Sequence, residues 1–278
     1  MKFTLSNNLT IPAPGFGTFK TPDGDICIDS VREAIKVGYT HIDTAAVYGN
    51  EKSVGEGVRQ SGAPREGLFI TSKVWNTERG YDKTLRACEK TLEDLGMDYL
   101  DLYLIHWPAN EQQFGDQAVK INLDTWKAME RLHDEKIVRS IGLSNFYANH
   151  LEPVLANADV APVIDQIEYH PGLLQEETVD LCKKNSILVE AWSPLGRGKL
   201  IEDPLLIETA RRYGKSPAQV ILRWVLQRGV LPLVKSVHAD RIKQNLDIFD
   251  FTLSDEDMAN IAALPDARFG SHPDTATF

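Results

Sequence analysis

The sequence predicts an α/β protein: a closed (β/α)8 barrel of the TIM type with an N-terminal β-hairpin, forming a single domain over residues 1–278. Three observations predict it. Short apolar runs end near Gly15, Asp43, Lys73, His106, Ser144, Gln166, Trp192 and Val234, with helical periodicity between most of them, the pattern of a repeated strand and helix unit. No linker or shift of composition divides the 278 residues, a length close to the roughly 250 that one such barrel needs. An open doubly wound sheet would carry Gly-x-Gly-x-x-Gly between its first strand and helix, whereas Gly15-Phe16-Gly17 is followed by Lys20 where the third glycine belongs.

The first dozen residues read as strand, Asn7-Asn8 turn and strand, hence the hairpin. From Thr84 to Leu95 a helix is expected, because Leu85, Cys88, Leu92 and Leu95 form one apolar stripe before Gly96. Ser216-Pro217 reads as an N-cap followed by proline at the first helical position. Val220, Ile221, Trp224 and Val225 then mark the buried face, and Gly229 closes the helix. Gly214-Lys215-Ser216 is therefore a helix start and lacks the upstream glycine of a phosphate-binding loop. Ser254, with Asp255, Glu256 and Asp257 in the following turn, begins the last clear helix.

Composition excludes several classes of function. Hydrophobic residues at 42% and charged residues at 25% suit a folded globular chain. Thirty basic against forty acidic side chains, a net charge of −10, is the wrong sign for holding nucleic acid. Cys27, Cys88 and Cys182 are too far apart for a zinc site or a disulfide framework, which points to a reducing compartment and a cytoplasmic protein; a monomer is expected. The opening residues contain no apolar leader core, and no run is long enough for a membrane helix. No metal-ligand spacing such as His-Glu-x-x-His occurs.

In a barrel the chemistry lies at the C-terminal ends of the strands. Those ends offer Asp43 with Tyr48 nearby, Lys73, His106, Ser144-Asn145, Gln166 and Trp192-Ser193. Each ionisable residue alone is readily structural, but four on neighbouring strands converge on one pocket. Together they fit carbonyl reduction, in which hydride reaches carbon while oxygen gains a proton. A phenol titrates near pH ~10, so Lys73 beside Tyr48 is expected to lower that value, with Asp43 holding the ammonium in place. A neutral His106 would hydrogen-bond the substrate oxygen.

The surrounding motifs resemble the aldo-keto reductase family over almost the whole chain. Gly38-Tyr39-Thr40-His41-Ile42-Asp43-Thr44-Ala45 with Glu51 and Gly55 is similar to its first signature, Ile141-Gly142-Leu143-Ser144-Asn145-Phe146 to its second, and Val234-Lys235-Ser236 with Arg241 and Asn245 to its third. Lys73 in Ile70–Trp75 and His106 in Leu104–Pro108 stand where the family places them. The resemblance implies a catalytic tetrad of Asp43, Tyr48, Lys73 and His106, with Tyr48 as general acid. It implies NADPH as cofactor, NADH being the weaker alternative. Ser144, Asn145 and Gln166 would hold the nicotinamide carboxamide, Trp192 would stack on the ring, and Ser193 and Leu195 would follow along the cofactor. Lys235, Ser236 and Arg241 would clamp the 2′-phosphate, with Val237 beside them along the cofactor and Gln244 and Asn245 at the adenine. Thr40, Val234 and His238 depart from common family residues, and Asp240 would oppose the phosphate if it pointed inward.

Phe19, Val47, Trp75 and Trp107 would join His106 as the walls of the substrate pocket. The loop after Trp107 and the tail from Arg268 to Phe278 are short, which predicts an open pocket for small aldehydes and ketones: glyoxals, keto sugars or keto acids. The overall pattern looks like that of bacterial diketogluconate and glyoxal reductases. The alternative is a non-catalytic nicotinamide-binding barrel acting as a regulatory subunit. A hydrolase built on Glu168, Glu190 or Asp101 has no spacing to select its pair of acids.

Overall fold

A computed structural model describes residues 1–278. Strands β1 (Lys2–Thr4) and β2 (Thr10–Pro12) pair antiparallel as the predicted hairpin. Asn8 takes the left-handed conformation (φ 66°) that lets the chain reverse there. Eight further strands follow: β3 (Gly15–Gly17), β4 (His41–Asp43), β5 (Phe69–Val74), β6 (Leu102–Ile105), β7 (Ile141–Ser144), β8 (Ile164–Glu168), β9 (Leu188–Trp192) and β10 (Leu231–Val234). They close as a parallel barrel in sequence order, with β10 pairing β3. Every strand of such a barrel is covered on both faces, which is why the sequence shows short runs that are mostly apolar, without a regular polar face.

The helices are α1 (Asp25–Val37), α2 (Glu51–Ser61), α3 (Tyr81–Leu95), α4 (Glu111–Phe114), α5 (Ala118–Asp134), α6 (Ala148–Asn157), α7 (Glu176–Lys184), α8 (Pro204–Tyr213), α9 (Pro217–Gln227), α10 (Ala239–Leu246) and α11 (Asp255–Ala262). The expected stripe of α3 faces the core: Cys88 and Leu95 are buried, and Leu85 and Leu92 pack against the same cluster. Helix α9 opens on the full reciprocal capping pair of Ser216 and Gln219, and Val220, Ile221, Trp224 and Val225 are all inaccessible to solvent. Helix α8 is an addition that the repeat of strands does not announce, inserted between β9 and α9 and capped by Asp203. Gly55 lets α2 lie directly against the last turn of α3, where a Cβ would collide with the Leu95 carbonyl. All three cysteines are buried, and burial pushes the thiols of Cys27 and Cys88 up to about 12, so neither is a nucleophile at neutral pH.

Between α2 and the barrel lies Glu51, buried and hydrogen-bonded by Ser72 Oγ (2.5 Å) and Thr91 Oγ1 (3.3 Å). Burial raises this carboxyl to about 7. The folded chain therefore holds a proton that the unfolded chain releases above its ordinary value near ~4.3. Stability contributed by that proton is lost as pH rises from there through about 7. Glu51→Gln is expected to remove this loss, amounting to a few kcal/mol (~1.4 kcal/mol per pH unit). Denaturant melts at pH 5 and pH 8 check it: wild type should lose more stability between the two than the variant does.

No helix is long and apolar enough to cross a membrane. Because all eight barrel strands run parallel, their C-terminal ends meet at one mouth, and the predicted chemistry gathers there.

Candidate active site

Alternation along neighbouring strands turns His41 and Asp43 of β4, Thr71 and Lys73 of β5, Gln166 of β8 and Glu190 of β9 into the barrel interior, where they touch one another. Lys73 has no solvent exposure, and its ammonium donates to Asp43 Oδ1 (2.7 Å), Asp43 Oδ2 (2.8 Å), the Thr44 carbonyl (2.9 Å) and Tyr48 Oη (3.4 Å). A buried cation is tolerable only when satisfied in this way. Burial works to lower its pKa, but Asp43 and Tyr48 outweigh that and hold it above the ordinary lysine value. Tyr48 reaches the ammonium from the short 3-10 turn Ala46–Tyr48 just after β4.

The phenol itself departs from expectation. Burial pushes Tyr48 up to about 12, with Asp43 and Glu190 adding to the rise, and Lys73 only offsets part of it. The expected lowering below the ordinary tyrosine value is therefore corrected: desolvation wins. Tyr48 is firmly protonated at neutral pH, the state a proton donor needs. The Lys73 ammonium, 3.4 Å from Oη, favours the phenolate form and so offsets part of the burial cost of ionising Tyr48.

His106 follows β6, its ring 5.6 Å from Tyr48 and 5.2 Å from Trp75 between centroids. Burial and the cations of Lys73 and Arg79 depress its pKa well below the ordinary histidine value, so it is neutral. Its Nδ1 is buried without a hydrogen-bond partner. An orphaned N–H there would be costly, which places the single proton on Nε2, toward the cleft.

From this tetrad a cleft of about 1000 Å³ runs across the barrel mouth. It is bordered by Asp43, Tyr48 and His106, by Ser144, Asn145, Gln166, Trp192, Ser193 and Leu195, and at its far end by Lys235, Ser236, Val237, Arg241, Gln244 and Asn245. Phe19, Val47, Trp75 and Trp107 form its apolar walls. Lys73 lies beneath the floor, touching the cleft only through Tyr48 and Asp43. Asn145, at φ 63°, is already bound within the protein: Nδ2 donates to the His106 carbonyl (2.9 Å), and Oδ1 accepts from Trp192 Nε1 (2.8 Å). It thus ties the ends of β6, β7 and β9 together. Ser236 and His238 precede α10, whose N-terminal N–H groups and the exposed Lys235 and Arg241 make this end cationic. Asp240 does not border the cleft.

Comparison with known proteins decides the family. Residues 15–266 match the Aldo/keto reductase family. The chain belongs to the aldo/keto reductase family. It is 50% identical over 275 residues to glyoxal reductase of Bacillus subtilis strain 168, covering 99% of this chain and 96% of that protein. Its fold superimposes on MGS-M4, an aldo-keto reductase from a Medee basin deep-sea metagenome, with a TM-score of 0.93 at 38% identity over 100% of both chains. A mutant of Gox0644 crystallised with NADPH gives 0.92 at 38% identity, over 100% of this chain and 99% of that one.

The reductase cleft also includes residues that sequence reasoning misses. Lys20, Arg197, Ile201, Pro217, Ala218, Ser271 and Phe278 border it, as does Ser216, assigned from sequence only as a helix cap. Arg197 carried a signal, a cation between Gly196 and Gly198 in the loop after β9, and it adopts the left-handed conformation (φ 55°). Phe278 carried none, since tail residues are placed by long-range contacts. The tail is tethered where the backbone N–H groups of Phe269 and Gly270 each donate to Glu168 Oε1 (2.9 Å). Gly270 lies so close to the Trp192 ring that no side chain would fit. Phe278 then stacks on Trp75 (5.8 Å between centroids, 10° between planes) and meets Trp107 edge-on. The pocket expected to stand open is instead narrowed by this fourth aromatic wall.

Proposed function

We propose that the whole chain acts as one barrel domain that reduces small aldehydes and ketones to alcohols with NADPH, Tyr48 being the proton donor. The observation that carries the reading is the contact of Tyr48 Oη with the buried Lys73 ammonium, 3.4 Å away, beside a neutral His106 at the floor of the cleft. The residues along that cleft fit a dinucleotide. Gln166 presents an acceptor oxygen for a carboxamide, Trp192 a flat aromatic surface, and Lys235 with Arg241 two cations for a phosphate. When bound, NADPH supplies the hydride.

The protein's own residues do the rest. His106 Nε2–H and Tyr48 Oη–H both donate to the carbonyl oxygen, turning its carbon toward the cofactor side of the cleft. As negative charge grows on that oxygen, Tyr48 passes its proton across, and Lys73 holds the resulting phenolate. Asp43, bound to Lys73 through both oxygens, keeps the ammonium aimed at Tyr48. Trp75, Trp107 and Phe278 surround the carbonyl with apolar planes that exclude water. So narrow a pocket suits glyoxals, keto sugars and keto acids. A titration with NADPH and with NADH, followed by turnover of methylglyoxal, diketogluconate, aldoses, aromatic aldehydes and a steroid ketone, tests this; strong preference for the steroid would refute it.

The clamp gives a second expectation. Charge-assisted hydrogen bonds contribute about 1.5–3 kcal/mol, so Arg241→Ala should weaken NADPH binding roughly 10- to 100-fold. Its effect on NADH, which lacks the 2′-phosphate, should be small. Equal losses for both cofactors in a fluorescence titration would move the phosphate site elsewhere. The non-catalytic alternative predicts cofactor binding without NADPH consumption on any of these carbonyl compounds.

A further inference from the structure

One buried acid plays no part in the chemistry described so far. Glu190 lies on β9 directly opposite Gln166 of β8 in the strand register, both facing the barrel interior, and is completely buried. Its Oε2 accepts from Gln166 Nε2 at 2.8 Å, and the same nitrogen donates to Asp43 Oδ2 at 2.9 Å. The amide thus bridges two acids with its two hydrogens. Reversed, it would point its oxygen at the Asp43 carboxylate, which has no hydrogen to donate. Its remaining atom, Oε1, has no partner within the protein and borders the cleft.

For folding alone Glu190 is a poor choice. Its other oxygen, Oε1, is buried without a hydrogen-bond partner, the nearest candidate being His41 Nε2 at 3.8 Å. Burial and the neighbouring Asp43 push its carboxyl up to about 8. His41, the other titratable group of this layer, is itself held neutral by burial. An apolar side chain of the same size would avoid both penalties.

We infer that Glu190 is a positioning residue for the cofactor: it fixes the plane of the Gln166 amide, while Asp43 fixes which end of that amide faces the cleft. With both anchors in place the Gln166 oxygen stands ready as the sole free acceptor for the nicotinamide carboxamide. With Glu190 gone, one amide hydrogen is buried unpartnered and the group can swing about its bond to Asp43. The inference rests on the NADPH reading above.

The test compares wild type, Glu190→Met and Glu190→Gln, titrated with NADPH and with adenosine 2′,5′-bisphosphate, which carries the clamp's phosphate but no nicotinamide. Glu190→Met should weaken NADPH about tenfold, leave the bisphosphate within twofold, and melt no lower than wild type. Glu190→Gln, whose amide oxygen can still accept from Gln166, should restore NADPH affinity to within twofold. Unchanged NADPH affinity in Glu190→Met would overturn the inference, as would equal weakening of both ligands or failure of Glu190→Gln to rescue. A wild type that binds the bisphosphate but not NADPH would instead sink the cofactor reading, and this inference with it.

Discussion

Tyr48→Phe is expected to lower kcat by ~10²–10⁴, the range that a positioned general acid contributes, while NADPH binds as tightly as before. The physical basis is the separation of roles at the floor of the cleft. The phenolic hydroxyl is the only part of Tyr48 that contacts Lys73 through a hydrogen bond, and its ring packs against Phe19 and His106 whether or not the hydroxyl is present. Phenylalanine keeps the pocket and removes the proton. NADPH consumption with methylglyoxal, alongside a cofactor titration, checks it; a variant retaining more than a third of wild-type turnover would mean that another group delivers the proton. With the phenol pushed up to about 12, wild-type reduction should show no loss from Tyr48 ionisation between pH 6 and pH 9.

The second large effect concerns Lys73. Lys73→Met removes the only cation bonded to Asp43 and leaves that carboxylate buried with just Gln166 as a hydrogen-bond partner. Breaking a buried ion pair from one side costs about 3–5 kcal/mol, a large share of the marginal stability of a folded chain. The variant should melt far below wild type and have almost no activity. Adding Asp43→Asn should recover much of the stability and none of the turnover. A double variant as unstable as the single one would show that the loss comes from packing of the lysine stem, and that the uncompensated charge is not its cause.

Much of this architecture was legible before any coordinates. The eight strand ends lie within two residues of where the apolar runs stop, because a strand covered on both faces by helices and neighbouring strands is largely apolar. The caps at Ser216 and Ser254 were equally readable, since capping is decided by residues three positions apart. Asp43, Tyr48, Lys73 and His106 could be named because they stand at or just after strand ends and carry groups that a barrel wall does not need, whereas the residues expected to hold the cofactor, several of them on α10, followed from the resemblance to the family.

What could not be read depends on distance through space. The rise of the Tyr48 pKa comes from burial, a property that no local motif carries, whereas the cation that opposes it is visible in the sequence. In the sequence Glu190 stands only as one candidate acid of a hydrolase pair, whereas the register of β8 and β9 sets it against Gln166. Phe278 joins the cleft because residues distant in sequence tether the tail: Glu168, on β8, holds Gly270, Asn110 holds the carbonyls of Pro273 and Ala276, and Asn76 holds that of Phe278. Periodicity, capping and strand-end chemistry are short-range and were determined by the amino-acid sequence alone. Desolvation, the cross-strand bridge beneath the tetrad and the aromatic wall at Phe278 were decided by the closed barrel, because each depends on which distant residues the fold makes neighbours.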